Sequence, residues 1–251
     1  MYIGSTEISK LYRGSTELSK VYKGANELWA KQLPVVTDGL LVYLDASNIT
    51  SYPGSGTTWY DISGNGKNAT LVNGPTYTAT PGYIDLDGTN DYISLSTNVA
   101  ITSLSVDMWI MLDDLVDGYL WILDNYDNPE LRIAVETDGR LRALMYDAGA
   151  YATTDYTTTY LATGNWYHVV ATVGNNDYKV YINGNLEIND TSGVYNGGGV
   201  GEHTLGTYNR PGGGYGGYRN SKYATFRYYN RIINATEVLQ NYNSEKSRFG
   251  L

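Results

Sequence analysis

Residues 166–188 read Trp166-Tyr167-His168-Val169-Val170-Ala171-Thr172-Val173-Gly174-Asn175-Asn176-Asp177-Tyr178-Lys179-Val180-Tyr181-Ile182-Asn183-Gly184-Asn185-Leu186-Glu187-Ile188. In residues 166–173, Trp166, His168 and Val170 alternate with Tyr167, Val169 and Ala171, the two-residue period of a strand. Asn183-Gly184 then separates the runs 178–182 and 186–188, and Asn-Gly between such runs signals a tight hairpin. The same grammar extends in both directions. Asp138-Gly139 joins 131–135 to 141–146, and Asp87-Gly88-Thr89-Asn90 separates 83–86 from 92–95. Residues 104–112 put Leu104, Val106, Met108, Ile110 and Leu112 on one face. Further runs lie at 40–44, 119–123, 204–208 and 224–229. One helix is expected at the end: Asn234 can cap it, Glu237 completes a capping box, and Val238, Leu239 and Tyr242 recur at helical spacing. Regularly spaced strands separated by turn signals predict an antiparallel β-sandwich from residue 36 onward, all-β but for one short C-terminal helix.

Residues 1–33 differ. Three ten-residue copies share the form Tyr-x-Gly-[Ser/Ala]-[Thr/Asn]-Glu-[Ile/Leu]: Tyr2–Ile8, Tyr12–Leu18 and Tyr22–Leu28. Such self-similarity marks a repeat. Gly with Ser, Thr or Asn supplies a turn, and the residues between alternate. The expected structure is a small β-meander with strands near 7–13, 17–23 and 27–31. Three short strands bury too little to stand alone, so the arm is expected to oligomerise or dock onto a partner. It carries five Lys or Arg against three Glu, a net +2, which leaves −11 for the rest of a chain whose total is −9. Pro34 separates the two parts.

Composition narrows the function. A net charge of −9 opposes nucleic-acid binding, which requires phosphates to be neutralised. Cys is absent, which excludes disulfides, thiolate metal sites and Cys nucleophiles. Residues 1–10 have no apolar stretch of the kind a signal peptide carries, and no run of about 18 apolar residues suits a membrane span. The sequons at Asn48, Asn68, Asn189 and Asn234 are read as chance in an Asn- and Thr-rich chain. The 26 tyrosines, against 2 phenylalanines, suggest surfaces that are half apolar and half hydrogen-bonding.

Four segments carry a family resemblance. They are 39–45 with 59–66, 86–93, 165–170 with 180–184, and 205–209 running to 228–231 and the Thr236-Glu237-Val238 helix. In this order they resemble the laminin-G-like, concanavalin A-like lectin/glucanase jelly-roll domains, over about 38–250. The repeat is similar to short Gly-Ser-Thr-Glu repeats at the ends of bacteriophage structural and tail-associated proteins. Together the resemblances imply a virion protein of fibre, tail or head, assembled in the bacterial cytoplasm. They imply that residues 1–33 dock it to other virion proteins through Tyr2, Ile8, Tyr12, Leu18, Tyr22, Leu28 and Trp29. They also imply a homo-oligomer, a trimer by analogy with phage fibres.

The sequence bears on three chemistries: hydrolysis, metal binding and glycan or protein binding. Glucanases of this superfamily carry paired carboxylates on one strand face, Glu-x-Asp-x-Glu or with one residue more, and retaining hydrolysis needs the two carboxyls about 5 Å apart. No such spacing exists here: Glu130 and Glu136 stand alone, Glu187 faces a turn and Asp107 has no acidic partner at the right offset. The chain is therefore expected not to be an enzyme. His168 is expected to be a hydrogen-bonded structural residue, and His203 to lie partnerless in a Gly-rich loop. Related domains often hold Ca²⁺, and the oxygen-rich turns offer Asp61 and Asn65, and Asp87, Asn90 and Asp91, as ligands; equally, Asp, Asn and Gly are the ordinary residues of turns. For a glycan or protein partner, loop Tyr and Arg residues are the candidates: Tyr126, Tyr151, Tyr156, Tyr195, Arg210, Tyr215 and Tyr218, with Tyr160 and Arg219 beside them. Two binding readings stay open, a lectin-like domain that holds a surface glycan and a structural domain that packs on neighbouring subunits.

Overall fold

The structure, a computed structural model, describes residues 33–97, 102–124, 130–147, 150–174, 177–191, 202–210 and 214–251, and within 1–32 the paired strands alone. Among the described residues two eight-stranded antiparallel sheets stack into a sandwich. The first sheet runs Thr76–Thr78, Tyr83–Asp87, Asn220–Tyr229, Leu104–Leu112, Trp166–Gly174, Asp177–Ile182, Asn185–Asp190, with Leu40–Asp45 paired to the far part of Asn220–Tyr229. The second runs Ala150–Tyr160, Arg140–Asp147, Glu130–Val135, Gly118–Asp124, Glu202–Leu205, Tyr92–Ser96, Ala69–Val72, Thr58–Trp59.

The alternation read from the sequence becomes the core. Leu104, Val106, Met108, Ile110 and Leu112 face inward from the first sheet and meet Leu95, Trp121, Leu131 and Ile133 of the second, all buried. Both hairpins form where expected, with Val135 opposite Leu141 and Ile182 opposite Asn185. The stretch 151–160, expected to be a loop, is instead the eleven-residue strand Ala150–Tyr160. Thr and Tyr are strand formers, and this edge strand has a polar outer face, so it lacks the apolar signal of a buried one. Glu187 fastens the two sheets together at this side. Its carboxylate accepts from the backbone N–H and hydroxyl of both Thr158 and Thr159, at 2.6–3.0 Å.

The helix Ala235–Glu245 covers the outer face of the first sheet. Its capping box forms as expected, with Asn234 Oδ1 accepting from the N–H of Thr236 and Glu237. Beneath it Trp109 stacks on Phe249 at 4.3 Å and on Tyr242 at 5.8 Å.

The repeats do not form the expected meander. Among the described residues they are three separate hairpins: Tyr2–Ile3 with Thr6–Glu7, Leu11–Arg13 with Thr16–Leu18, and Lys20–Lys23 with Asn26–Ala30. Each copy of the repeat contributes a pair of antiparallel strands, not one strand between two turns. The register is the same in all three: Tyr2 pairs with Glu7, Tyr12 with Glu17 and Tyr22 with Glu27. Tyr2, Tyr12, Leu18, Tyr22, Leu28 and Trp29 are strand residues, whereas Ile8 lies outside the described residues.

Candidate functional site

The outer face of the second sheet gathers aromatic and cationic side chains. Near its middle, the Arg132 guanidinium lies 4.2 Å from the Tyr208 ring centroid and 5.5 Å from that of Tyr119, and the two rings are themselves 5.3 Å apart. Tyr208 belongs to a small hairpin, Tyr208–Arg210 with Gly214–Gly216, in which Arg210 pairs with Gly214 and Asn209 with Tyr215. Gly217 follows it at φ +65°, with the Tyr119 ring 3.1 Å from where a Cβ would stand, so a side chain there would press on that ring. Tyr218 sits 6.5 Å from Tyr92, and burial, then the neighbouring Tyr92, pushes its phenol up.

A second group lies toward the edge of the same face. Arg140 is opposite Tyr160 and Arg142 is opposite Tyr156. Arg140 lies 4.9 Å from the Tyr156 centroid and 5.7 Å from that of Tyr160. Tyr160 is 62% exposed and Tyr156 38%. Asp138 accepts from the backbone N–H and the Nε of Arg140, at 3.0 and 2.8 Å. That backbone N–H is the main cause that holds the Asp138 carboxyl below its usual range.

Of the residues singled out from sequence, Tyr156 and Tyr218 are thus on this face in separate groups, and Arg210 and Tyr215 are in the adjoining hairpin. Tyr151 lies in the edge strand opposite Tyr146. Tyr126 and Tyr195 lie outside the described residues. Arg132, Tyr119, Tyr208, Tyr92, Arg140 and Arg142 were not singled out. Only the two-residue spacing of Arg140 and Arg142, in a strand facing a Tyr-rich one, hinted at such a group.

The oxygen-rich turns are already committed to protein donors. Asp61 Oδ1 accepts from the N–H of Tyr43 and Ser63, and Oδ2 from Ser63 Oγ and the Lys67 N–H, all at 2.8–3.0 Å. Asn65 turns its Nδ2 inward to Leu40 O, Leu41 O and Ser63 Oγ. Asp87 Oδ1 takes the N–H of Thr89 and Asn90, while Asp91 is buried, and burial pushes its carboxyl up. Among the described residues no three His, Cys, Asp or Glu side chains are grouped to hold a metal. A cage of six to eight oxygens around Ca²⁺ does not fit the Asp61 turn, whose carboxylate already takes four protein hydrogen bonds.

His168 is buried and structural. Its Nε2 lies 3.1 Å from Asp107 Oδ2, whose other oxygen pairs with Arg227 Nη1 at 2.8 Å. Asn241 of the covering helix donates to the same carboxylate at 2.8 Å, and Arg227 also pairs with Glu245. Burial alone would raise the Asp107 pKa; the charges of His168 and Arg227 outweigh it and hold this carboxyl well below its usual range. The triad is sealed, with Asp107, His168 and Arg227 all 0% exposed, so no substrate reaches it. His203 corrects the expectation of a partnerless loop residue. It lies in strand Glu202–Leu205, points into the core, and accepts from Trp121 Nε1 at 3.2 Å. Asp124 is the register partner of Glu202 on the adjacent strand, a neighbourhood that spacing along the chain cannot reveal.

The fold and this face define a lectin-type β-sandwich. Residues 87–239 match the laminin-G-like family of the concanavalin A-like lectin/glucanases superfamily, and the chain belongs to that family. No curated protein matches it. Among solved structures it is similar to Trypanosoma rangeli sialidase, with TM-score 0.65, 19% identity, and 85% of this chain on 34% of that one. It is also similar to the binding domain of Paraclostridial Mosquitocidal Protein 1, with TM-score 0.63, 21% identity, and 83% on 52%. The chain therefore spans a third to a half of these proteins, and the likeness is one of fold.

Proposed function

We propose that this chain is a bacteriophage virion subunit whose residues 1–33 dock it to the particle and whose sandwich, residues 36–251, binds a surface glycan or receptor without turnover. The observation that carries the binding half is the concentration of Tyr rings and guanidinium groups on the outer face of a lectin-type sheet. Rings stack on the C–H faces of sugars and guanidinium groups donate to hydroxyls. The docking half is supported by three hairpins of one register, each too small to be stable by itself. Multiple copies on a particle would raise the avidity of a weak site by about 10²–10⁴.

The full chain and a chain beginning at Val35 are each incubated with particles lacking the protein, sedimented, and separately applied to a glycan array. Retention of the full chain alone, with array binding by both, is the expected result. Equal retention of both would assign the docking to the sandwich and favour a purely structural subunit. One observation favours a hydrolase, the cross-strand placement of Asp124 and Glu202. The binding reading expects no reducing ends from a bound glycan; release that Asp124→Asn abolishes would replace it.

A further inference from the structure

At the edge of the second sheet, Arg140 and Arg142 are two residues apart on one face, so about 7 Å along the strand. Each guanidinium is held from one side only, Arg140 Nε by Asp138 Oδ2 at 2.8 Å and Arg142 Nε by Glu136 Oε1 at 2.6 Å. Their Nη groups make no hydrogen bond to the described residues, so two forks of N–H donors remain unspent. Tyr156 and Tyr160 flank them across the strand pair, and Tyr160 is the more exposed ring at 62%. Asp138 and Glu136 keep acceptor lone pairs beside the donors. Donor forks, carboxylate acceptors and exposed rings within one strand pair match a molecule with alternating hydroxyls and C–H faces.

Resting on the glycan-binding reading above, we propose that Arg140, Arg142, Tyr156 and Tyr160, with Asp138 and Glu136, form the binding site of a neutral saccharide. Charge selects the class. The two arginines are cancelled locally by the two carboxylates, and the whole chain carries −9. A uronic acid or phosphate polymer therefore gains no net attraction here. A neutral sugar meets the same donors and acceptors with no long-range penalty.

The test applies the full chain, and its Tyr160→Ala, Arg140→Gln and Tyr60→Ala variants, to immobilised neutral hexose oligosaccharides, oligogalacturonates and glycerol-phosphate oligomers. Tyr60 is an exposed tyrosine remote in sequence from the patch and serves as control. A neutral oligosaccharide should be bound, about tenfold more weakly by Tyr160→Ala and by Arg140→Gln and unchanged by Tyr60→Ala. Affinity should hardly move between about 50 and 200 mM salt. A neutral glycan held equally by all four proteins overturns this site while leaving glycan binding in place. Salt-sensitive binding of the acidic probes alone overturns the ligand class. Silence across the array overturns both this site and the glycan-binding reading.

Discussion

His203 and His168 sit in opposite surroundings. Trp121 Nε1 can only donate, so its bond to His203 Nδ1 requires that nitrogen unprotonated, with the proton on Nε2 toward Thr97 Oγ1 at 3.4 Å. No carboxylate compensates, and burial holds the His203 pKa down to about 3. The unfolded imidazole titrates near ~6.5, so below that pH the unfolded chain binds a proton that the folded one refuses. Stability therefore falls as pH drops from about 6.5 toward 3, by up to about 1.4 kcal/mol per unit. Urea unfolding at pH 7, 6 and 5 should show a slope that is shallower in His203→Gln. Asp107 poses the converse case. Asp107→Asn leaves Arg227 buried with Glu245 as its only carboxylate partner, and should cost about 3–5 kcal/mol in the same measurement.

At the scale of elements, the turn at Asp138-Gly139 sets the edge group. Gly139 has φ +89°, and a Cβ there would stand 2.4 Å from Leu161 O. Gly139→Ala should therefore destabilise by about 2 kcal/mol, measured by thermal melting, and should disturb the seat of Asp138 beside Arg140. This hairpin was legible because Asp-Gly between alternating runs has few other solutions. The residues that the hairpin brings together were not. Arg140 meets Tyr160 only because a third strand, Ala150–Tyr160, folds back with an irregular register, and neither its polar face nor its bulge leaves a periodic trace. The repeats were half legible. Their Gly-centred turns are in the sequence, but whether successive strands pair across each Gly or across the segments between is decided by register, and alternation alone permits both.

For the whole molecule, the inward-facing residues of 104–112 announced a sandwich, and the order of the four family segments announced its type. Which distant strands would lie side by side, and so Asp124 beside Glu202, follows from long-range topology that no local signal encodes. The oxygen-rich turns show the same limit from the other side. Asp, Asn and Gly at these spacings suit either Ca²⁺ or backbone donors, and only the packed structure shows Asp61 taking four protein hydrogen bonds. The melting temperature of the full chain should accordingly be the same in excess Ca²⁺ and in excess EDTA; a rise with Ca²⁺ would reveal a site elsewhere.

The chain leaving residues 1–33 is tied into the body within a few residues. Pro34 O accepts from Gln240 Nε2, Val36 N–H donates to Asn241 Oδ1, and Val36 O accepts from the Tyr229 hydroxyl. Asn241 in turn grips Asp107 in a central strand. If the arm is held on a particle while the sandwich is held on a surface, tension does not simply peel away a terminal strand. It is carried through the helix Ala235–Glu245 into the middle of the first sheet, so that side chains at the joint and the central ladders share the load.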